Sequence, residues 1–129
     1  MDLKFGLGTP SNLWSLDWEA RKQAVSEIAD SGFDHIFMAD HVSFRNGSGT
    51  DGFVEVASLS QLHPTIGVMT SIYLLPLRHP LPVARQLASM ARIAPGRLIL
   101  VWVLAARTPM RWKYAGLIRG VVGCVRMSL

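Results

Sequence analysis

The tetrapeptide Ala-Asp-His-Val at residues 39–42 places a carboxylate beside an imidazole, directly after the apolar run His35–Met38. Histidine is the side chain whose ordinary pKa lies nearest neutrality, and a neighbouring carboxylate can fix the tautomer and orientation of its ring. Asp40 and His41 are therefore a candidate pair for proton transfer. The alternative is that Asp40 caps or braces the next loop and His41 is simply a polar residue there. Spacing alone favours neither.

A second candidate position is residues 70–72, where the small polar Thr70 and Ser71 interrupt an apolar, β-branched run. Small side chains there would let a flat ligand approach the backbone, or they could be packing residues in a crowded interior. Arg78 could bind an anion, although a solvated side chain is the commoner role of a lone arginine.

The other three histidines are weaker candidates. His35 begins a strand, which is the wrong end for catalysis, and His63 and His79 each precede proline and are expected to shape turns. No spacing among them predicts a metal ligand set, so we expect no metal.

The elements that must position these residues alternate between strand and helix. Such an order, with short connections, predicts parallel strands joined by right-handed crossovers, an α/β fold with its sites at the carboxyl ends of the strands. The predicted strands are Lys4–Leu7, His35–Met38, 65–75 and Arg97–Val101, and the predicted helices are Trp18–Ser31, Phe53–Leu62 and a third from Pro80 to Pro95.

Two architectures fit that order, an open doubly wound sheet and part of a TIM (β/α)8 barrel. No G-x-G-x-x-G motif follows the first strand, so dinucleotide binding is weakly indicated. A full barrel takes roughly 250 residues. These 129 residues would supply its N-terminal half, with about four parallel strands and an irregular C-terminal tail.

Composition narrows the functional classes. A single Cys124 excludes an intramolecular disulfide, and neither a signal peptide nor a membrane span is visible, so the sequence predicts a cytoplasmic protein with no membrane partner. Every Asp and Glu lies at or before Glu55, and the net charge of +4 arises in the tail beyond Leu100. Because this tail has no ordered basic pattern, we expect no nucleic-acid partner.

Three stretches of the sequence read KFGLGTPS, SGFDHIFMADHV and TSIYLLPLRHPLPVARQLASMARIAPGRLIL. They resemble the luciferase-like monooxygenase family, whose members are TIM-barrel oxidoreductases that use FMN or the deazaflavin coenzyme F420. The resemblance covers essentially Asp2 to Leu100.

The resemblance implies specific roles. Asp40 and His41 match a pair that faces the isoalloxazine or deazaflavin ring, with His41 as a candidate for the proton that accompanies hydride transfer. Thr70, Ser71 and Ile72 match a bulge behind the ring, where the family often has a non-prolyl cis peptide, here Ser71–Ile72. Coenzyme F420 is favoured, with FMN as the alternative.

The tail departs from the family. The family usually continues with a segment of the type G-V-G-V-G-G-E-D-P, whereas Val101–Pro109 reads VWVLAARTP. Reading the gene one nucleotide earlier from Leu100 permits that Gly-rich segment, since the codons of Trp102 and Val103 then force Gly. We therefore expect residues 1–100 to be a partial barrel and residues 101–129 to be an aberrant basic tail translated out of frame.

Function follows as an expectation. By family the chain is an oxidoreductase that moves hydride between a reduced flavin or deazaflavin and a small organic substrate, and as this fragment it is expected to be inactive. The alternative is a non-enzymatic fragment or interaction module. A partial barrel exposes strand edges, so self-association is expected.

Overall fold

A computed structural model describes residues 3–41 and 49–103, together with the backbone of the strand at 122–126. Its first four strands are parallel and follow one another across the sheet, with one helix between each pair. The α/β prediction is thus confirmed. The elements are β1 (Gly6–Gly8), α1 (Trp18–Asp30), β2 (His35–Met38), α2 (Gly52–Leu59), β3 (Gly67–Tyr73), α3 (Pro80–Ile93), β4 (Leu98–Val103) and β5 (Val122–Arg126).

Local sequence signals explain where the helices begin and end. The carboxylate of Asp17 accepts from the backbone N–H of Ala20, and that of Asp51 accepts from Phe53 and Val54, so that aspartates cap α1 and α2. Gly32, with φ +89°, follows α1 in the left-handed conformation.

Histidines act at two of the other turns. The ring of His79 accepts from the N–H of Leu81 at the start of α3, and the Nδ1 atom of His63 accepts from Thr65 and Ile66. The prediction that these two histidines shape turns is confirmed.

Strand boundaries differ from the predicted ones by one or two residues. β1 begins at Gly6 rather than Lys4, because the N–H of Phe5 donates to the Asp34 carboxylate instead of joining the ladder. β4 runs on to Val103. α2 ends at Leu59, three residues before the predicted end.

The two faces of the sheet differ in burial. One cross-strand row, Leu7, Ile36, Val68 and Leu98, packs against the helices in the apolar core with residues such as Val25, Val56 and Met90. The neighbouring row, Gly8, Phe37, Met69 and Ile99, lies on the opposite face and is only half-buried. That second face, which we call the inner face, is the one a closed barrel would enclose.

A fifth strand joins the sheet from the tail. β5 pairs antiparallel with β4, with Leu100 opposite Val125 and Trp102 opposite Gly123. The sequence predicts no element in this segment, and residues 104–121 and 127–129 of the tail lie outside the described residues. β5 therefore covers the edge of β4 at which a further parallel strand would add.

Candidate functional site

Asp40 lies where predicted, just beyond the carboxyl end of β2, and its carboxylate is completely buried. Oδ1 accepts from the backbone N–H of Gly52 at 2.9 Å and Oδ2 from that of Leu74 at 2.8 Å. Arg78 donates to both oxygens, at 2.6 and 2.7 Å. Each oxygen thus accepts two hydrogen bonds, and Asp40 ties the end of β2 to α2 and to the segment after β3.

Arg78 is the cation of this network. Besides Asp40, its guanidinium binds Asp51 at 3.0 Å and lies 4.2 Å from the centre of the Tyr73 ring. Its side chain is only 15% exposed, so it is neither solvated nor available as an anion site. Both roles considered from the sequence are wrong, because the planar guanidinium is held bidentately by a carboxylate from a neighbouring strand end.

Electrostatic interactions within the network favour the charged forms of Asp51 and Arg78. Burial alone would raise the pKa of Asp51, but hydrogen bonds from Arg78 and the Val54 N–H outweigh it and hold the pKa below its ordinary value. Burial alone would lower the pKa of Arg78, but its hydrogen bonds to Asp40 and Asp51 outweigh burial and raise the pKa above its ordinary value. Burial raises the pKa of the Tyr73 phenol to about 12. The shifts of Asp51 and Arg78 thus both favour the charged Arg78–Asp51 pair.

His41 follows this anchor directly. Its backbone N–H donates to the carbonyl of Thr50 at 2.9 Å, which joins the residue after Asp40 to the residue before Asp51. The side chain is half-buried. Because Asp40 is fixed by four hydrogen bonds, the position of the His41 backbone is fixed with it.

The end of β3 carries the predicted irregularity. Thr70 pairs with Leu100 and Tyr73 with Trp102, so two residues of β3, Ser71 and Ile72, oppose the single Val101 of β4. The Ser71–Ile72 peptide bond is cis, as the resemblance implies.

The hydroxyl of Thr70 serves this bulge. It donates to the Val101 carbonyl at 3.0 Å and accepts from the Val101 N–H at 3.2 Å, and the side chain is fully buried. Ser71 is half-buried and Ile72 is 37% exposed. The Thr70 hydroxyl thus supplies hydrogen-bond partners for the Val101 backbone groups that the bulge leaves without ladder partners. Of the three residues 70–72, Ser71 and Ile72 are the ones accessible at the surface.

The structure brings the ends of β2 and β3 together through Asp40, Leu74 and Arg78. Sequence analysis missed the pairing partners Arg78, Asp51 and Tyr73. The cap signal of Asp51 before the predicted α2 was visible, but its bond to Arg78 was not. Among the described residues, no cluster of three or more His, Cys, Asp or Glu could hold a metal ion. No helix in these ranges has the length and apolarity to cross a membrane.

Glu55 on α2 is a further acid that sequence analysis did not single out. It is 9% exposed, and its Oε2 atom is buried with no hydrogen-bond partner among the described residues. Burial raises its pKa above the ordinary value of 4.5, and Trp14 and Thr50 oppose this only in part. The folded chain therefore holds this proton more tightly than the unfolded chain does.

Glu55→Gln should change how stability depends on pH. Since the folded-state pKa is raised, the contribution of Glu55 to stability is complete below about pH 4.5 and is lost as pH rises through the folded-state value. Urea unfolding should show the variant gaining stability relative to wild type between pH 4 and pH 8. Glu19→Gln, at a side chain that is 77% exposed, is the matched control for the same substitution at the surface. A constant difference across pH would contradict the assignment.

Comparison with known proteins gives a family and a fold. The family model for luciferase-like monooxygenases matches residues 5–113. No curated protein sequence matches the chain significantly.

Among solved structures, the chain resembles the oxygenating constituent of 3,6-diketocamphane monooxygenase from Pseudomonas putida, a type II Baeyer-Villiger enzyme in complex with FMN (17% identity, TM-score 0.67, 90% of this chain and 33% of that one). It also resembles the monooxygenase RslO1 from Streptomyces bottropensis (22%, 0.62, 86% and 36%).

A third similar structure is an F420-dependent secondary alcohol dehydrogenase in complex with an F420-acetone adduct (18% identity, TM-score 0.58, 89% of this chain and 39% of that one). The chain thus spans between a third and two fifths of the length of these structures. At such identities the likeness establishes the fold, a partial TIM barrel.

Proposed function

Because the chain belongs to the luciferase-like monooxygenase family, we propose that it is the amino-terminal part of an oxidoreductase that moves hydride between a reduced flavin or deazaflavin and a small organic substrate. The observation that carries the proposal is the junction of the β2 and β3 ends, where the buried Asp40 carboxylate, next to His41 in the chain, binds Arg78 and the N–H of Leu74, two residues after the Ser71–Ile72 bulge.

The described residues fit the ring of such a cofactor. Ala39 and Ser71 are small, half-buried residues at the carboxyl ends of neighbouring strands, and Phe37 and Met69 precede them on the inner face. This leaves a shallow, largely apolar surface on which a planar ring can lie. When bound, the flavin or deazaflavin supplies the hydride acceptor or donor.

Within this proposal the residues divide the work. His41 holds or releases a proton at an imidazole nitrogen on the ring face. Asp40 acts as a positioning residue rather than an acid or base, because both of its oxygens already accept two hydrogen bonds each. Thr70 holds the bulge, while Ser71 and Ile72 contact the ring.

For the cofactor itself we propose coenzyme F420, with FMN as the alternative. The Ala-Asp-His-Val motif at residues 39–42 supports the deazaflavin, and similar folds are known in complex with either compound. Arg78 contributes no phosphate contact, since its guanidinium is engaged by Asp40 and Asp51.

We further propose that this chain alone turns over little or no substrate and that it associates with itself, as a non-enzymatic fragment would. The half-buried inner face and the open edge of β1 support this alternative. A cytoplasmic location is proposed from the single cysteine.

Ser71→Phe tests the ring site. A bulky side chain on the inner face should weaken binding of F420 or FMN to the 129-residue chain at least tenfold, measured by quenching of ring fluorescence. Ser89→Phe, at an exposed position of α3, should bind like wild type. Absence of binding by the wild-type chain, or equal binding by the two variants, would overturn the proposed site.

We also propose that residues 101–129 arise from out-of-frame translation. The absence of acidic residues after Glu55 and the codon constraint at Trp102 support it. Sequencing the gene downstream of codon 95 tests it, because a shifted frame should encode the Gly-rich segment and further barrel strands. A gene with no such frame would refute it.

A further inference from the structure

The two edges of the sheet are not equivalent. β5 pairs along β4 from Ile99 to Val103, so the β4 edge is covered. β1 is the terminal strand at the other side, and in the described ranges no strand pairs with its outer edge. β1 and β5 are therefore the two edge strands of the sheet, and of the two only β5, which ends at Arg126, contains a charged residue.

The hydrogen-bonding groups of β1 alternate in direction. The Phe5 carbonyl accepts from His35 and the Thr9 N–H donates to Phe37, so the odd-numbered residues face β2. The N–H and C=O groups of Gly6 and Gly8 therefore point away from the sheet. They are the groups that another strand would bind.

Apart from the short length of β1, which has three residues, this edge lacks the features that usually prevent pairing. Residues 5–9 contain no charge and no proline, and the nearby Lys4 is already paired with Asp34 at 2.8 Å. Phe5 is 58% exposed. Leu7 opens onto an apolar groove that Leu13, Leu16, Ile28 and Phe33 also line.

We propose that two copies of this chain pair through their β1 edges. An antiparallel pair about a two-fold axis at Leu7 sets Gly6 opposite Gly8 of the second copy, which forms two hydrogen-bonded residue pairs. The two Leu7 side chains then meet beside the grooves, and no like charges oppose each other. Because the two-fold axis uses the same β1 edge of both copies, this contact joins two copies and no more. This specifies the surface of the self-association proposed above and is independent of the cofactor proposal.

Gly8→Pro tests the edge directly. Proline removes only the outward N–H and is tolerated on edge strands, so pairing with β2 should survive. Gly8→Ala is the matched control, because alanine retains the backbone N–H. Its Cβ would lie 3.4 Å from the Phe37 ring, an ordinary contact distance. Sedimentation over a concentration series should show dimers for wild type and Gly8→Ala, and at least tenfold weaker dimerisation for Gly8→Pro.

A second pair of variants guards against misfolding of the proline variant. Phe5→Lys adds a like charge to each edge at an exposed position and should weaken dimerisation similarly, whereas Val54→Lys, at a 65% exposed position on α2, should not. Unchanged dimerisation of Phe5→Lys would contradict pairing through the β1 edge, but it would remain consistent with self-association through another surface. A monomeric wild type overturns both. Cofactor binding by the Phe5→Lys variant reports separately on the ring site.

Discussion

Arg78→Met should destabilise the folded chain by about 3–5 kcal/mol, the usual cost of leaving a buried charge without its partner. The Asp40 carboxylate is fully buried and would keep only the N–H groups of Gly52 and Leu74. The packing of the guanidinium on the Tyr73 ring would be lost as well. Urea unfolding followed by circular dichroism measures the change.

Two further variants separate the ion pair from general effects of losing an arginine. Arg85→Met, on the exposed face of α3, should change stability by less than about 0.5 kcal/mol. The double variant Asp40→Asn/Arg78→Met removes the orphaned charge and should be more stable than Arg78→Met alone. If Arg78→Met and Arg85→Met unfold alike, the network does not anchor the strand ends.

Gly6→Ala should cost about 1–3 kcal/mol, the range for overpacking a filled interior. A Cβ at Gly6 would overlap the Nε2 and Cδ2 atoms of His35. The His35 ring has little room to move away, because the residue is only 9% exposed. Thermal unfolding in parallel with Gly8→Ala, which meets only ordinary contact, measures the effect.

Removal of the His35 ring should relieve this clash. In the His35→Ala background, adding Gly6→Ala should cost less than about 0.5 kcal/mol, since the obstructing atoms are gone. An equal cost in both backgrounds would mean that Gly6 is needed for its backbone rather than for the space above it.

Local sequence alone determined the order of elements and the position of the candidate residues. Periodicity, aspartate caps and the glycine after α1 act over a few residues, and each is readable from neighbouring positions. Because parallel strands bring their carboxyl ends to one edge, the sequence also predicted that candidate site residues would lie at those strand ends.

Only the tertiary structure decided what these side chains do. Asp40 and Arg78 are 38 residues apart, and nothing near either residue indicates that they pair in a buried site. Thr70 could have faced a ligand, but its hydroxyl instead forms hydrogen bonds with the N–H and C=O groups of Val101, which the bulge leaves without ladder partners. The place of β5 likewise depends on which strand edge remained open, a property of the assembled sheet rather than of residues 122–126 themselves. Long-range pairing of charges, hydroxyls and edges depends on distances that exist only after folding.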